Sequence, residues 1–178
     1  TLATAEFLGK KPEDVTLITC HLGNGCSMAA VKNGKVIDTT MGLTPLEGLM
    51  MGTRSGDLDP AVVIHLIELG HSTKEVDTIL NKKSGLYGVG GINSDMINAA
   101  EGGNEQAELA LKMFARRVVK YVGAYYVLLG GADALVFTGG VGEYSVPMRK
   151  RITSQLGALG LKLDDDIESN TVGGWVTE

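Results

Sequence analysis

The chain has 178 residues, of which 44% are hydrophobic and 25 are glycine, and its formal net charge is −5. This size and hydrophobic content suit one well-packed α/β domain rich in turns, and they exclude a disordered chain. The negative charge argues against nucleic acid as a partner. No uncharged apolar run reaches the length of a membrane span, so we expect no membrane association.

Two basic groups, Arg116-Arg117-Lys120 and Arg149-Lys150-Arg151, are interpreted as solvated helix faces. The two cysteines, Cys20 and Cys26, are too few for a disulfide scaffold and lack further ligands at zinc-site spacing. A reduced, cytoplasmic location is therefore expected.

The first predicted element is a hairpin whose turn lies between His21 and Ser27. Residues before and after this turn alternate or are β-branched, which is typical of paired antiparallel strands. At its tip, two glycines flank Asn24 and leave backbone N–H groups without side chains in front of them. Such a bend suits a polyphosphate, although an ordinary hairpin tip has the same appearance.

A second hairpin is predicted at Asn33-Gly34, because Asn-Gly is the strongest two-residue hairpin signal. The first third of the chain is then a three-stranded meander. Residues 42–58 contain four glycines and one proline, which indicates a long irregular loop. Loops of this length tend to be functional.

Two short helices are predicted after this loop. The first begins at Asp59-Pro60 and stops at Gly70, with its apolar side on Val63, Ile64, Ile67 and Leu69. The second spans Ser72 to Lys82, with Ser72 and Glu75 forming a capping box. The glycine-dense segment from Ser84 to Gly91 is predicted to be a loop.

Apolar residues recur at helical spacing from Asn104 to Leu129, which predicts one long helix. Its second half is apolar nearly all round, so it is either sandwiched in a core or pressed against a second subunit. A short buried strand is predicted at 134–138, followed by Gly139-Gly140-Val141-Gly142 and a last helix ending by Gly157 or Gly160. This order of elements indicates a mixed sheet with helices on its faces.

Glycines therefore follow predicted strands twice, after Leu22 and after Thr138. Glycine at the end of a strand lets a ligand approach the backbone, so these two bends are expected to clamp one nucleotide. Arg54 lies alone in a glycine-flanked loop, three positions before Asp57. It forms either a salt bridge within the loop or a guanidinium contact with a phosphoryl group.

Four segments resemble the acetate kinase family: His21 to Ser27, Met41 to Pro60, Ser84 to Asp95 and Val136 to Glu143. The resemblance runs over nearly the whole chain in the family's order, with differences from the usual family residues at Gly90, Ile97 and Tyr144. It implies an α/β ribonuclease-H-like (actin-like ATPase) domain, a mixed sheet with a three-stranded antiparallel meander and flanking helices. The chain is similar to the C-terminal half of the family. Residues 1–178 are therefore expected to be its nucleotide-binding domain, incomplete at the C-terminus, with an inserted region at about 42–103.

The resemblance also implies the roles of individual residues. Arg54 matches the arginine that stabilises the transition state. The nucleotide-binding residues are implied to be His21, Leu22, Gly23, Asn24 and Gly25 on the phosphate side, Asp95, Met96 and Ile97 at the nucleoside, and Gly140, Val141, Gly142, Glu143 and Tyr144 at the adenosine.

The activity implied by the resemblance is Mg²⁺-dependent, reversible phosphoryl transfer from ATP to acetate, giving acetyl phosphate and ADP. Metal ligands are expected mainly outside this chain, and the fragment alone is expected to catalyse little. A homodimer formed through the 118–129 face is also expected. Two alternatives stay open: a kinase for propionate or another short carboxylate, and a non-catalytic actin-like module for nucleotide binding or dimerisation.

Overall fold

The computed structural model describes residues 1–160, apart from the side chains of Met96 and Ala99. Residues 161–178 of the expected domain lie outside the described residues. The helices and strands are α1 (Leu2–Phe7), β1 (Leu17–Leu22), β2 (Cys26–Lys32), β3 (Lys35–Thr39), α2 (Ala61–Glu68), α3 (Thr73–Lys82), α4 (Gly85–Gly90), α5 (Ile97–Ala100), α6 (Glu105–Leu129), β4 (Ala134–Thr138), α7 (Gly139–Tyr144) and α8 (Val146–Thr153).

The described strands form one mixed sheet in the order β3-β2-β1-β4. β2 is antiparallel to both β1 and β3, whereas β4 is parallel to β1. Both predicted hairpins are confirmed. In the second, Asn33 and Gly34 have φ angles of 52° and 74°, the left-handed pair that a two-residue hairpin of this twist requires.

The strand predicted at 134–138 is confirmed in position, but the prediction that it is buried is wrong. Only Val136 is buried in β4, because the strand is the outermost of the described sheet and packs on one neighbour, β1. The parallel register pairs His21 with Thr138. The carboxyl ends of β1 and β4 therefore lie side by side.

The long helix is confirmed as α6, and the Asn104 side chain accepts a hydrogen bond from the Ala107 N–H at its start. One face of α6 packs on the sheet through a buried stripe that includes Phe114, Val118 and Val122. The opposite side of its second half is exposed at Val127 and Leu128. The second half of α6 is therefore apolar on two sides, of which one packs in the core and the other forms an exposed apolar patch.

The inserted region contains both expected and unexpected structure. α3 has the predicted capping box between Ser72 and Glu75. α2 also forms, with the Ala61 N–H bonded to Asp59 Oδ1 at 2.9 Å, but its apolar residues are exposed or half-buried and none is buried. No described helix is long and apolar enough to cross a membrane.

The prediction of a loop from Ser84 to Gly91 is wrong, because residues 85–90 form the helix α4. Backbone N–H groups at its start bond to carbonyl groups of the preceding loop, including Leu86 N–H to Met51 O at 2.9 Å and Tyr87 N–H to Gly52 O at 2.9 Å. α4 also packs against α6 so closely that a Cβ on Gly90 would lie 2.8 Å from the Ala110 Cβ. Tertiary contacts therefore override the weak helix propensity of glycine.

The interpretation of 149–151 as a solvated face is wrong for two of its residues. Arg149 is buried, and its Nη1 donates to Gly142 O at 2.8 Å. Arg151 donates to Glu108 Oε1 at 2.7 Å, which ties α8 to α6, and to Glu101 Oε2 at 2.6 Å in the turn between α5 and α6. Guanidinium groups with several fixed donors can serve as such cross-links between elements.

Candidate functional site

The first bend, residues 23–25, joins β1 to β2 and keeps its backbone donors free. Within residues 1–160, the N–H groups of Gly23, Asn24 and Gly25 donate no hydrogen bond to the protein. Beneath the bend, the Cys26 thiol donates to Gly23 O at 3.1 Å. Burial raises the pKa of Cys26 to about 12, so the thiol stays protonated and acts as this donor. The hydrogen bond from Cys26 thus fixes the bend, while the backbone amides of residues 23–25 have no protein acceptor within residues 1–160.

The second bend, residues 139–142, lies beside the first. His21 Nδ1 is 3.1 Å from Thr138 Oγ1, across the register pair that ends the β1–β4 ladder. A Cβ on Gly139 would lie 2.7 Å from Leu22 O and 3.1 Å from His21 Cε1, so only glycine permits this approach. The structure therefore brings together the two glycine bends that the sequence places far apart.

Arg54 lies against the first bend. A Cβ on Gly25 would be 3.3 Å from Arg54 Nη1. The same nitrogen donates to Pro45 O at 3.1 Å and lies 3.6 Å from Met51 Sδ, which are both uncharged acceptors. In the described residues, Arg54 forms no ion pair, so its positive charge is not neutralised by a carboxylate of this part of the chain.

The backbone around Arg54 is fixed by neighbouring segments. Gly52 N–H donates to Asn24 O at 3.0 Å, which bonds this loop directly to the first bend. Ser55 N–H donates to Leu80 O at 3.0 Å, and Ser84 N–H donates to Thr53 O at 2.9 Å. The position of Arg54 beside the bend is therefore set by hydrogen bonds to three different elements.

The alternative of a loop salt bridge between Arg54 and Asp57 is not what the structure contains. Asp57 instead pairs with Arg117 of α6, whose Nη1 is 3.5 Å from Asp57 Oδ2. The interpretation of Arg117 as solvated is consequently wrong. Sequence reasoning missed this contact, although Arg117 and Tyr121 stand four residues apart on one side of the predicted helix, a spacing that makes them neighbours.

The segment Asp95–Ile97 is linked to the end of α7 through the next residue, Asn98. Asn98 Oδ1 accepts a hydrogen bond from the Ser145 hydroxyl, directly after α7. Asp95 is exposed, whereas the Ile97 side chain is 1% exposed and packs in the core. Any ligand contact of residue 97 would therefore use its backbone. The Met96 side chain lies outside the described residues.

Residues 140–144 form most of the short helix α7, and their exposure differs from one to the next. Val141 and Gly142 are buried, Glu143 is half-buried, and Gly140 and Tyr144 are exposed. The Gly139 and Gly140 N–H groups at the start of α7 donate no bond within residues 1–160. A ligand above this segment would meet Gly140 and Tyr144 first.

No group of three or more histidine, cysteine, aspartate or glutamate side chains is close enough to hold a metal ion in the described residues. A loop of backbone donors with an unpaired guanidinium is instead suited to an anion with several oxygen atoms. The arrangement can neutralise negative charge and orient a phosphate chain.

Comparison with known proteins identifies relatives of this chain. The model of the acetokinase family matches residues 1–176. The acetate kinase of Clostridium novyi is 59% identical over 174 residues, covering 96% of this chain and 43% of that protein. The acetate kinase of Oleidesulfovibrio alaskensis is 58% identical over 167 residues, covering 92% of this chain and 42% of that protein.

Solved structures give the same result. The crystal structure of Porphyromonas gingivalis acetate kinase is 45% identical with a TM-score of 0.90, covering 97% of this chain and 44% of that one. A propionate kinase from Francisella tularensis is 45% identical with a TM-score of 0.88, covering 94% of this chain and 44% of that one. These similarities confirm the actin-like α/β fold. The chain spans 42–44% of the length of these four relatives.

Proposed function

Because the chain belongs to the acetokinase family, we propose that the protein containing it transfers the γ-phosphoryl group of ATP to acetate. The products are acetyl phosphate and ADP, and the reaction is reversible. Relatives named acetate kinase at 59% and 58% identity support this choice of substrate.

One observation carries the proposal: Arg54, without a carboxylate partner in the described residues, lies against a bend of free backbone amides. In a loose transition state for phosphoryl transfer, negative charge spreads over three equatorial oxygens. A guanidinium with several fixed donors suits those oxygens, while the amides of residues 23–25 suit the remaining phosphates. We assign Arg54 to the transferred group and His21 to Gly25 to the phosphate side of the nucleotide.

The nucleoside part is assigned to two further segments. Asp95, Met96 and Ile97 contact the nucleoside, with Ile97 doing so through its backbone because its side chain is in the core. Gly140 to Tyr144 contact the adenosine from the second bend. The hydrogen bond between Ser145 and Asn98 supports this assignment, since it joins the residues that directly follow the two segments.

The acceptor needs little proton chemistry. A carboxylic acid with a pKa of about 4 to 5 is ionised at pH 7, so acetate attacks without a general base. The task of these residues is then to hold the phosphoryl group in line and to offset its charge.

In the described residues, no group of three or more histidine, cysteine, aspartate or glutamate side chains is placed to hold Mg²⁺ without a nucleotide. Mg²⁺ often takes most of its ligands from phosphate oxygens and water, with one or two carboxylates. We assign its protein ligands to parts of the protein outside the described residues.

The experiment that tests the proposal replaces Arg54 by alanine in the full-length protein. Turnover of ATP and acetate should fall by about 10³-fold or more, as for other arginines that act in phosphoryl transfer. Arg116→Ala is the matched control, since Arg116 is exposed on α6 and forms no hydrogen bond or ion pair within the described residues. Turnover of Arg54→Ala within tenfold of wild type contradicts the role of this residue.

A second acceptor is favoured by one specific observation, the similarity to a propionate kinase at a TM-score of 0.88. Propionate differs from acetate by one methylene, which a hydrophobic pocket discriminates by only about 10- to 200-fold. Assays of the full-length protein with acetate, propionate and butyrate distinguish the two. A higher kcat/KM with propionate would replace acetate as the preferred acceptor.

We assign the chain to the C-terminal, nucleotide-binding half of the protein, with residues 42–103 as an insertion. The end of β3 at Thr39 and the start of α6 at Glu105 support this boundary, and the segment between them contributes Leu49, Met51 and Leu86 to the main core. Two buried free thiols are compatible with the cytoplasmic location expected from the sequence.

We also propose a homodimer, but through a smaller surface than the whole 118–129 face. Val118, Val122, Tyr125 and Leu129 are buried in the chain's own core, whereas Val127 and Leu128 are 79% and 51% exposed. Lys32 Nζ donates to Leu129 O at 3.1 Å, which brings this end of α6 to the β2–β3 hairpin with its exposed Val36 and Ile37.

The dimer is tested by sedimentation of the full-length protein. Val127→Lys places a charge in the proposed contact and should shift a dimer toward monomer. Leu2→Lys is the matched control, because Leu2 is equally exposed on α1 and lies outside the proposed surface. A wild-type protein that sediments as a monomer, or a Val127→Lys dimer of unchanged stability, contradicts the proposed surface.

A further inference from the structure

Residues 48–57, here called the Arg54 loop, are closed at their base by two hydrogen bonds between the first and the last residue. Gly48 N–H donates to Asp57 Oδ1 at 2.8 Å, and Asp57 N–H donates to Gly48 O at 3.0 Å. The Asp57 side chain therefore adds a second hydrogen bond to the backbone hydrogen bond that closes the loop. Arg54 belongs to this closed loop and precedes Asp57 by three residues.

The base of the loop is fixed to α6 by Arg117. This side chain donates to Gly48 O at 3.0 Å and twice to Asp57 O at 3.2 Å, in addition to its ion pair with Asp57 Oδ2. One guanidinium thus holds both ends of the Arg54 loop. Both side chains of the ion pair are about one-quarter to one-third exposed, so the pair is partly shielded from solvent.

Tyr121 adds a second link from α6, one turn after Arg117. Its hydroxyl donates to Asp57 Oδ2 at 2.7 Å. Burial, together with the hydrogen bond to Asp57, raises the pKa of Tyr121, which keeps the hydroxyl protonated as a donor. The Asp57 carboxylate therefore accepts hydrogen bonds from Gly48 N–H and Tyr121 and forms an ion pair with Arg117, and a carboxylate has the acceptor sites and the charge for all three.

The far part of the Arg54 loop is bonded to the first bend through Gly52 N–H and Asn24 O at 3.0 Å. Contacts from α6 at the base and from the bend at the far part thus span the loop. α6 is itself part of the main core, where Phe114 and Val118 are buried. A continuous path of hydrogen bonds and packing joins the core to the guanidinium.

We propose that Asp57 is a positioning residue for phosphoryl transfer, which closes the Arg54 loop onto Arg117 and Tyr121 of α6 and so holds the Arg54 guanidinium at the first bend. This inference rests on the function proposed above. Asp57 does not touch the transferred group; it acts through Arg54. Its removal should therefore lower turnover and leave nucleotide binding by the bends largely intact.

The test measures kcat, the KM for ATP and the melting temperature of four full-length proteins: wild type, Asp57→Ala, Arg54→Ala and the double variant. In the wild-type background, Asp57→Ala should lower kcat by about 10²-fold, because a displacement of the Arg54 guanidinium by about 1 Å is expected to cost this much. The KM for ATP should change less than about threefold, because binding common to ground and transition states is retained.

The double variant separates positioning from a general structural role. If Asp57 acts through Arg54, then adding Asp57→Ala to Arg54→Ala should lower kcat by less than about threefold, since coupled residues are not additive. A loss of active protein would instead lower kcat by the same factor in both backgrounds. Equal factors in the two backgrounds therefore overturn the proposal.

Two further variants keep the test independent of folding. Tyr121→Phe removes one hydroxyl and keeps the ring, and it should lower kcat by about tenfold or less, again only when Arg54 is present. Asp59→Ala is the matched control: it removes a carboxylate two residues away whose recorded hydrogen bond is local, to Ala61 N–H, and it should leave kcat unchanged.

The outcomes also separate this inference from the function on which it rests. A large loss in Arg54→Ala with no loss in Asp57→Ala or Tyr121→Phe overturns the positioning role alone. A loss in Asp57→Ala that appears as a raised KM for ATP, with kcat retained, overturns it as well. Full turnover in Arg54→Ala overturns both proposals.

Discussion

The guanidinium of Arg54 lies against the α-carbon of Gly25, so that a Cβ on residue 25 would stand 3.3 Å from Nη1. This separation is shorter than an ordinary van der Waals contact between a carbon and its neighbour. The end of a flexible side chain can yield by a few tenths of an ångström, whereas the backbone beneath cannot. A methyl group on residue 25 would therefore displace the Arg54 guanidinium by a few tenths of an ångström.

The first prediction is that Gly25→Ala impairs turnover more than it impairs folding. The added methyl group displaces the guanidinium, and we expect kcat to fall by about tenfold or more, since small displacements of catalytic groups are costly. The melting temperature should change by only about 1 °C, which corresponds to about 1 kcal/mol for a protein of this full length. Steady-state kinetics and thermal unfolding of the full-length protein measure the two quantities.

Gly123→Ala is the control for the alanine substitution itself. A Cβ on Gly123 meets nothing within 4 Å, and the residue lies inside α6. Replacing a mid-helix glycine should stabilise the protein by about 0.5–1 kcal/mol and leave kcat unchanged. If Gly25→Ala retains wild-type kcat, then residue 25 does not set the position of Arg54.

The second prediction concerns Phe114, which is fully buried at the centre of the main core. Phe114→Ala should lower the free energy of unfolding by about 3–5 kcal/mol through lost burial and the cavity left behind. Phe114→Leu, which keeps most of the volume, should cost less than about 1.5 kcal/mol. Urea unfolding followed by circular dichroism measures both, and equal losses would show that the cavity contributes nothing.

The third prediction is that Asp133 makes the protein less stable in acid. Partial burial alone would raise the pKa of Asp133, but hydrogen bonds from Lys10 Nζ and from the Thr16 N–H outweigh it and lower the pKa. A carboxyl group with a lowered folded-state pKa contributes stability above its unfolded pKa of about 3.9, and that contribution disappears as the pH falls through the folded value.

Asp133→Asn should therefore reduce the urea midpoint at pH 7 and have little effect at a pH below the folded-state pKa. Asp14→Asn is the matched control, because Asp14 is exposed and its side chain forms no hydrogen bond within the described residues. An Asp133→Asn effect of the same size at pH 7 and in acid would show that charge plays no part in it.

The fourth prediction is that both cysteines resist thiol reagents in the native protein. Cys20 and Cys26 are buried and free, and burial raises the pKa of both thiols, so few thiolates form and the reagent has no access. Both should react in urea. Peptide mass spectrometry after labelling at pH 8 measures each site, and fast native labelling of Cys26 would contradict the buried position of this thiol under the bend.

Much of the local structure follows from short signals in the sequence. Asn33-Gly34 encodes its own turn, Ser72 and Glu75 encode a helix start, and the spacing of apolar residues encodes α6. These predictions succeed because the interactions connect residues close in sequence. The prediction of a loop at residues 85–90 is wrong for the opposite reason, since the helix there depends on carbonyl groups of Met51 and Gly52, more than thirty residues away.

The order of the elements, the two glycine bends and the resemblance to a kinase family were all determined by the sequence alone, because each depends on residue type and local spacing. Only the tertiary structure decided that the bends adjoin, that Arg54 stands beside one of them, and that Asp57 pairs with Arg117 rather than Arg54. The physical reason is that a guanidinium can reach many acceptors of similar energy. Which acceptor it meets depends on how the sheet and α6 pack around the loop.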